Sequence, residues 1–438
     1  MKIPNTKNLY PRTILKDLIK ELSKDNILTI LGARQVGKTS ILALLYDQLK
    51  NKSKVYFDLE DIQILQELNS LNFNDFPVWL EEKIGRPLAK KNYVFIDEIQ
   101  YLDHPSSFLK YIFDHFKQIK FIVSGSSTLE IKKKFTDRLT GRKSLHILYP
   151  LSFEEFLVFQ NKSFFTRDKL NLKEVINRNF KISHEHKKRV SFFQKELLKY
   201  FEEFVIFGGY PKAVLTKNKK DKFSILKEIQ GTYVRKDIKD LADVENLSAF
   251  NNLIEVVALQ SANLLNYDEL TNTLNLNRKT LEKYLFLLEN TFIISLLKPF
   301  FTNKRKEISK MPKIFLTDTG MRNALIQNFN ALNLRPDKGA LVENFVYTQL
   351  KKLIMIEDNL YFWGTQVKAE VDFIIKNKQN LIPIEVKYQK FKTSQIPSGL
   401  QSFISFYQPK KAVIITQDYL DQIKFKKTNI YFLPAFLI

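Results

Sequence analysis

The sequence predicts a multi-domain α/β protein, and three observations carry that expectation. Residues 1–155 alternate short apolar runs with helical segments, the mark of a layered α/β fold. The stretch ILTILGARQVGKTSILALL, from Ile27 to Leu45, sets two glycines five apart immediately before Lys38 and Thr39, in a chain with only 12 glycines. Residues 331–438 again mix strand-like and helical runs, with carboxylates and a lysine at strand spacing.

The 438 residues suffice for about two to four domains with buried cores. A hydrophobic fraction of 44% argues for a folded chain. With no cysteine, disulfides and thiolate metal sites are excluded. No run approaches the ~18 apolar residues of a membrane span, and the N-terminal residues lack a signal-peptide core. A cytoplasmic protein without membrane association is expected. The formal charge of +22 points to a polyanionic partner, most often nucleic acid, with a merely solvated basic surface as the plain alternative. The excess is uneven: between Asn161 and Asp240 twenty Lys/Arg face ten Asp/Glu.

Strands are expected at Ile27–Leu31, Val55–Leu59, Tyr93–Asp97, Phe121–Ser124 and Leu145–Tyr149. Their continuous apolar character fits parallel strands buried on both faces. Residues 156–245 turn helical, basic and aromatic, a lid-like region broken at Phe207–Val214 (FGGYPKAV). Residues 246–330 read as helices at Ala249–Leu259 and Tyr267–Thr273, then a third capped by Asn277 with Leu281, Leu285 and Leu288 on one face. Strands at Phe292–Leu297 and Lys313–Thr317 follow, giving a winged helix-turn-helix layout. Residues 331–438 form the C-terminal α/β domain, with ALVENFVYTQLKKL helical and EVDFII, IPIEVKY and KAVIIT as strands.

The glycine pair now has a physical reading. Gly32-x-x-x-x-Gly37-Lys38-Thr39 is a phosphate-binding loop between a strand and a helix predicted over Ser40–Leu49. Glycine lets the backbone curl so that N–H groups from Gly32, Ala33, Arg34, Gln35, Val36 and Gly37 through Ser40 face phosphate oxygens. Lys38 supplies a cation for the β- and γ-phosphates, and the Thr39 hydroxyl is a ligand for Mg²⁺. YVFIDEIQ ends a strand in two carboxylates: Asp97 is expected to hold Mg²⁺ of a bound Mg²⁺-ATP, and Glu98 to orient or deprotonate the attacking water. Ser124 and Ser126 stand where a side chain senses the γ-phosphate, or simply form a turn of small residues. Arg138 or Arg142 either reaches a nucleotide in a neighbouring subunit of a homo-oligomer or pairs with an acid of its own chain.

GARQVGKTS, FIDEIQYL, VSGSSTLEI, LTGRKSLHILYPLSFEEF and FGGYPKAV together resemble a large group of prokaryotic AAA-type ATPases. Members of that group carry a C-terminal domain of uncertain function related to PD-(D/E)XK nucleases. The resemblance continues through YVRKDIKDL, KIFLTDTG and EVDFIIKNKQNLIPIEVKY. It implies ATP hydrolysis, an AAA-type P-loop core (1–155), a helical region (156–245), a winged helix (246–330) and a restriction-endonuclease-like domain (331–438).

In that last domain Glu343 lies on a helix, Asp372 on a strand, and Glu385 and Lys387 two apart on the next strand, hence on one face. Carboxylates with one lysine suit metal-assisted phosphodiester hydrolysis, the acids binding Mg²⁺ and the lysine positioning a water. The set resembles the PD-(D/E)XK pattern, with Asp372, Glu385 and Lys387 as its core and Glu343 as its helical acid. The residues before Asp372 are Glu370-Val371 in place of a proline. The same fold is also reused as a binding module. Of the nucleic acids, DNA is favoured over RNA as the expected partner. Arg278, Lys279 and Lys283, with Lys304, Arg305 and Lys306 at the expected wing, are candidate phosphate contacts. His184 and His186 read as a solvated loop rather than a metal site. The aromatic runs SFFQKELLKYFEEF and SFISFYQP read as core faces.

Overall fold

The structure, a computed structural model, describes residues 5–126, 141–166, 170–178, 180–232, 244, 246–301, 310–354, 359–365, 369–377 and 380–438. Arg138, Lys304, Arg305 and Lys306 lie outside the described residues, as does all of YVRKDIKDL. Two compact units emerge: Met1–Pro150 with Gly231–Val244 and Phe286–Phe292, and Leu151–Gln230 with Glu245–Leu285 and Ile293–Ile438. Among the described residues no helix is long and apolar enough to cross a membrane.

The first unit is built on a five-stranded parallel sheet in the order β2-β3-β4-β1-β5. Its strands are β1 (Ile27–Leu31), β2 (Ser53–Asp58), β3 (Asn92–Asp97), β4 (Ile119–Gly125) and β5 (Lys143–Ile147). The three inner strands β1, β3 and β4 are buried along their whole length, as their unbroken apolar runs require. Helices Phe76–Ile84 and Pro105–His115 cover part of the sheet. Phe76 packs against Trp79, Phe108 and Phe121 at 5.0–5.9 Å between ring centroids. Burying such a ring contributes ~1.5–3 kcal/mol. β5 begins two residues earlier than the apolar pattern suggests, because this edge strand is only half-buried and alternation no longer marks its ends.

The second unit holds a mixed six-stranded sheet in the order β12-β13-β11-β10-β9-β8. Its strands are β8 (Asn359–Gly364), β9 (Glu370–Asn377), β10 (Asn380–Lys387), β11 (Lys411–Thr416), β12 (Asp421–Phe425) and β13 (Thr428–Pro434). β8, β12 and β13 were not anticipated; β12 is only half-buried and carries no hydrophobic run. Helix Ser398–Tyr407 packs Leu400, Phe403 and Ile404 onto this sheet with Trp363, Ile374 and Phe432.

The same unit contains helices Leu247–Leu259 and Tyr267–Leu274 and an antiparallel pair of strands, β6 (Ile294–Leu297) and β7 (Lys313–Leu316). Helix Arg278–Asn290 begins where Asn277 accepts the Thr280 N–H at 2.8 Å, and Leu281, Leu285 and Leu288 are buried as expected. Asn266 caps the preceding helix through the N–H groups of Asp268 and Glu269.

FGGY and TDTG meet: the buried Asp318 accepts the Gly209 N–H at 2.7 Å and the Met321 N–H at 2.8 Å. Asn323 donates to the carbonyls of Val205 and Ile206. Two motifs distant in sequence are thus one structural joint. In LSFEEF, Ser152 and Glu155 form a capping box for helix Phe153–Phe159.

His184 and His186 correct the loop expectation. They open helix His184–Phe207, where His186 and Ser183 complete a second capping box. The aromatic runs are core faces only in part: Phe201, Phe204 and Phe403 are buried, but Phe192 is 80% and Phe406 75% exposed.

Candidate nucleotide site and a carboxylate cluster

β1 delivers the chain to the phosphate-binding loop, and helix Lys38–Gln48 leaves it. Gly37 caps that helix with φ 99°, a left-handed conformation that disfavours any residue with a Cβ. A Cβ on Gly32 would overlap the backbone carbonyl of Leu148, so this position tolerates nothing larger than hydrogen. Gln35 also takes a positive φ, of 60°, within the curl. Lys38 is buried; its ammonium donates to the carbonyls of Gly32 at 3.3 Å and Ala33 at 3.1 Å and lies 3.7 Å from Glu98.

The end of β3 faces the loop. Asp97 accepts from the Thr39 hydroxyl at 2.6 Å, from the Tyr56 hydroxyl at 2.8 Å and from Ser124. Thr39 and Asp97 therefore meet at one point, a hydroxyl and a carboxylate suited to the magnesium of a nucleotide. Ser124 also accepts the Glu98 N–H at 3.3 Å, which places it on the acids.

Glu98 has φ 54°, an uncommon backbone for a residue with a side chain. Gln100 donates to its carboxylate and, at 2.9 Å, to Ser126. Burial pushes the Glu98 carboxyl up, but Lys38, the hydrogen bonds from Gln100 and Ser126, and Arg34 outweigh it and hold it below the usual range. A carboxylate kept ionised beside the loop can accept a proton from water.

Three residues at this site escaped sequence reasoning. Tyr56 and Asp58 sit on β2, where Asp58 pairs in register with Asp97. Arg12 buries its guanidinium to bond the carbonyls of Val36 at 3.0 Å and Tyr149 at 2.8 Å, tying the loop to the end of the sheet. No local pattern flags them. Arg142 pairs with Asp114 of its own chain at 2.7 Å, which is the in-chain alternative expected for it.

The C-terminal acids do come together. β9 and β10 run antiparallel with Phe373 opposite Ile384, so Asp372 and Glu385 follow on one face. Lys387 bonds Glu385 at 2.7 Å, and Asp372 accepts the Val386 N–H at 2.7 Å. Glu343 joins them from helix Lys338–Leu353.

The centre of the cluster is filled by a residue not anticipated there. The ammonium of Lys313, on β7, lies 3.0 Å from Glu343, 2.5 Å from Glu370 and 3.8 Å from Asp372. Among the described residues no three His, Asp or Glu side chains are arranged to hold a metal ion. Of the expected ligand set, Glu343 and Asp372 meet Lys313 and Glu385 meets Lys387, so that as folded the three do not fit a divalent cation. Among the described residues, one oxygen of Glu385 is buried without a hydrogen-bond partner. Burial, then the charge of Asp372, pushes the Glu343 carboxyl up to about 8 and that of Glu385 up to about 7.

Comparison with known proteins finds a family match over the stretch that contains the first site. Residues 24–157 match a family model described as AAA domain. Residues 198–332 and 338–436 match two domains of unknown function, DUF8612 and DUF4143. An uncharacterized protein of Methanocaldococcus jannaschii, MJ1544, is 27% identical over 394 residues, covering 88% of this chain and 79% of that one. An uncharacterized protein of Haemophilus influenzae is 24% identical over 434 residues, 97% of each chain. The Walker-type ATPase PABY2304 of Pyrococcus abyssi is a structural neighbour at 16% identity and a TM-score of 0.45, covering 74% of this chain and 98% of that one. Residues 24–157, which hold the phosphate-binding loop and the acids that end β3, thus resemble an AAA domain.

Proposed function

We propose that this protein is an ATP-hydrolysing switch whose nucleotide state controls a second unit that engages nucleic acid, DNA in preference to RNA. The observation that carries the reading is the meeting of Thr39, Asp97, Glu98 and Lys38 at the ends of β1 and β3. Loop N–H groups and Lys38 receive the phosphates, with Ser126 and Gln100 fixing Glu98. Glu98 takes the proton of the attacking water. Thr39 and Asp97 would hold Mg²⁺, which supplies charge neutralisation on the phosphates. Support for a nucleic-acid partner is the charge of +22, concentrated between Asn161 and Asp240. Helices Leu247–Leu259, Tyr267–Leu274 and Arg278–Asn290 with β6 and β7 are the candidate winged helix. Arg278 is engaged with Glu282 at 2.6 Å and stacked over Tyr267, leaving exposed Lys279 as the better phosphate contact.

For the C-terminal domain the binding module is the better-supported role over cleavage, because Lys313 stands among the acids that a nuclease would use. The test is fluorescence anisotropy of a labelled DNA duplex with Glu98→Gln protein, with and without ATP. An affinity that differs at least tenfold between the two states and falls steeply with salt is expected. Equal affinity in both states contradicts nucleotide control.

A further inference from the structure

Helix His184–Phe207 turns Val190, Leu197, Phe201 and Phe204 inward. That spacing leaves Lys188, Phe192, Lys195 and Lys199 as a stripe on the opposite side, and all four are exposed. Phe192 is 80% exposed, the most open large apolar side chain among the described residues. A lone exposed apolar residue needs no explanation, but this one belongs to a group. Its ring centroid stands 4.8 Å from that of Phe193. Phe193 in turn meets Phe164 at 5.2 Å and Phe165 at 5.4 Å, both from the short 3₁₀ helix Ser163–Thr166. Phe164 is itself 46% exposed. The inner rings brace the outer ones: Phe193 and Phe165 are half-buried, and Phe165 reaches Tyr200 at 6.3 Å.

Cations frame these rings. The Arg189 guanidinium lies 5.4 Å from the centre of the Phe164 ring, and the Lys162 ammonium 5.7 Å from that of Tyr200. Two acids share this side of the helix. Glu196 is already 3.4 Å from Lys162, and Glu185 lies one turn before Lys188. Among the described residues no ion pair joins Lys188, Lys195 or Lys199 to a carboxylate.

Open aromatic faces set between ammonium groups match an unpaired strand. Each free base offers a π-face to a ring, and the adjoining cations meet its phosphates. A duplex hides its base faces in the stack, so the rings would add nothing there. The unpaired lysines favour a polyanion over an apolar protein surface as the occupant.

We propose that this face, Phe192 and Phe164 with Lys188, Arg189, Lys195 and Lys199, is a stacking platform for single-stranded DNA. This rests on the reading that the second unit engages nucleic acid. Phe192 stacks on one base, Phe164 under Arg189 offers a second surface, and the lysine stripe follows the backbone. Every base has a face to stack, so little sequence preference is expected.

The probe is a fluorescein-labelled oligodeoxythymidylate of about 20 nucleotides, long enough for one such site, read by anisotropy on the full-length protein beside a duplex of equal length. The parent protein should bind the single strand, and Phe192→Ala should bind it about tenfold more weakly with thermal unfolding unchanged. Phe192→Tyr should keep the affinity and Phe192→Leu lose it, since stacking needs a ring and a simple apolar contact does not. An abasic strand should bind the parent and Phe192→Ala alike. Changing Lys188, Lys195 and Lys199 together to glutamine should lower the salt slope by about 2. Equal affinity of parent and Phe192→Ala, full affinity of Phe192→Leu, or a parent that binds duplex but no single strand overturns the platform and leaves the nucleic-acid reading standing. A parent dimer in sedimentation that Phe192→Ala dissociates also overturns it, since a second copy of the chain then covers the ring. A parent that binds neither strand nor duplex overturns both.

Discussion

Two sites of this molecule set a buried lysine against carboxylates, and they do so in opposite ways. At the phosphate-binding loop Lys38 rests on backbone carbonyls and stays 3.7 Å from Glu98, while Asp97 is satisfied by hydroxyls. In the second unit Lys313 sits among three acids and is the main cation they meet. The electrostatics diverge accordingly, with Glu98 held below the ordinary carboxylate range and Glu343 and Glu385 pushed above it. A site built from curled backbone keeps its acid ionised and ready. A site built only from converging side chains depends on whichever cation fills it.

The strongest way to break the contrast is at Glu98. Glu98→Gln should lower ATP turnover by about 10²–10⁴-fold, the usual contribution of a positioned base, while nucleotide binding persists. Phosphate release and nucleotide titration measure the two quantities separately, and turnover equal to that of the parent protein would remove Glu98 from its role.

The pH dependence of stability sharpens the comparison next. In the folded chain burial and the charge of Asp372 push the Glu343 and Glu385 carboxyls up, to about 8 and about 7, against about 4.3 when unfolded. Between these values the folded state binds more protons, so stability falls as pH rises from about 5 to 8 in metal-free buffer. The loss should be on the order of a few kcal/mol by urea unfolding, and Glu343→Gln should flatten it. Glu98 has the opposite sign. Its depressed pKa contributes stability above the unfolded value and loses it only as pH drops through the carboxylate range. A stability profile without slope from pH 5 to 8 would contradict the raised carboxyls of Glu343 and Glu385.

Backbone proximity gives a smaller effect. Gly32→Ala forces a methyl onto the Leu148 carbonyl and should cost about 1–3 kcal/mol in thermal unfolding, with weakened nucleotide binding. The smallest expected change is at Arg142. Its pair with Asp114 is part-exposed, so Arg142→Ala should cost under about 1 kcal/mol and leave ATP turnover intact. A tenfold fall in turnover at unchanged stability would instead assign Arg142 to a neighbouring nucleotide.

The same contrast explains what could be read from sequence. Gly32, Gly37, Lys38 and Thr39 are contiguous, and strand, curl and helix follow from local rules, so that loop and the acids ending β3 were legible. The inner strands were legible because burial on both faces leaves an unbroken apolar run. Tyr56 and Asp58 were not, although their strand was, since only the strand order sets β2 beside Asp97, and Arg12 comes from a segment without a pattern of its own. Glu343, Asp372, Glu385 and Lys387 were recognised as a group, yet the residue that decides their chemistry was hidden in KIFLTDTG. There Lys313 reads as the first residue of a strand, and only the pairing of β7 with helix Lys338–Leu353 puts it among the acids.

The central claim is that the loop between β1 and the helix at Lys38 holds the phosphates of ATP. Calorimetric titration of Mg²⁺-ATP into the full-length protein and into Lys38→Ala tests it directly. Saturable binding by the parent chain and a loss of about a hundredfold or more in the variant, roughly 2.7 kcal/mol, is the predicted result. No heat of binding to well-folded parent protein, or equal affinity in both, would contradict it.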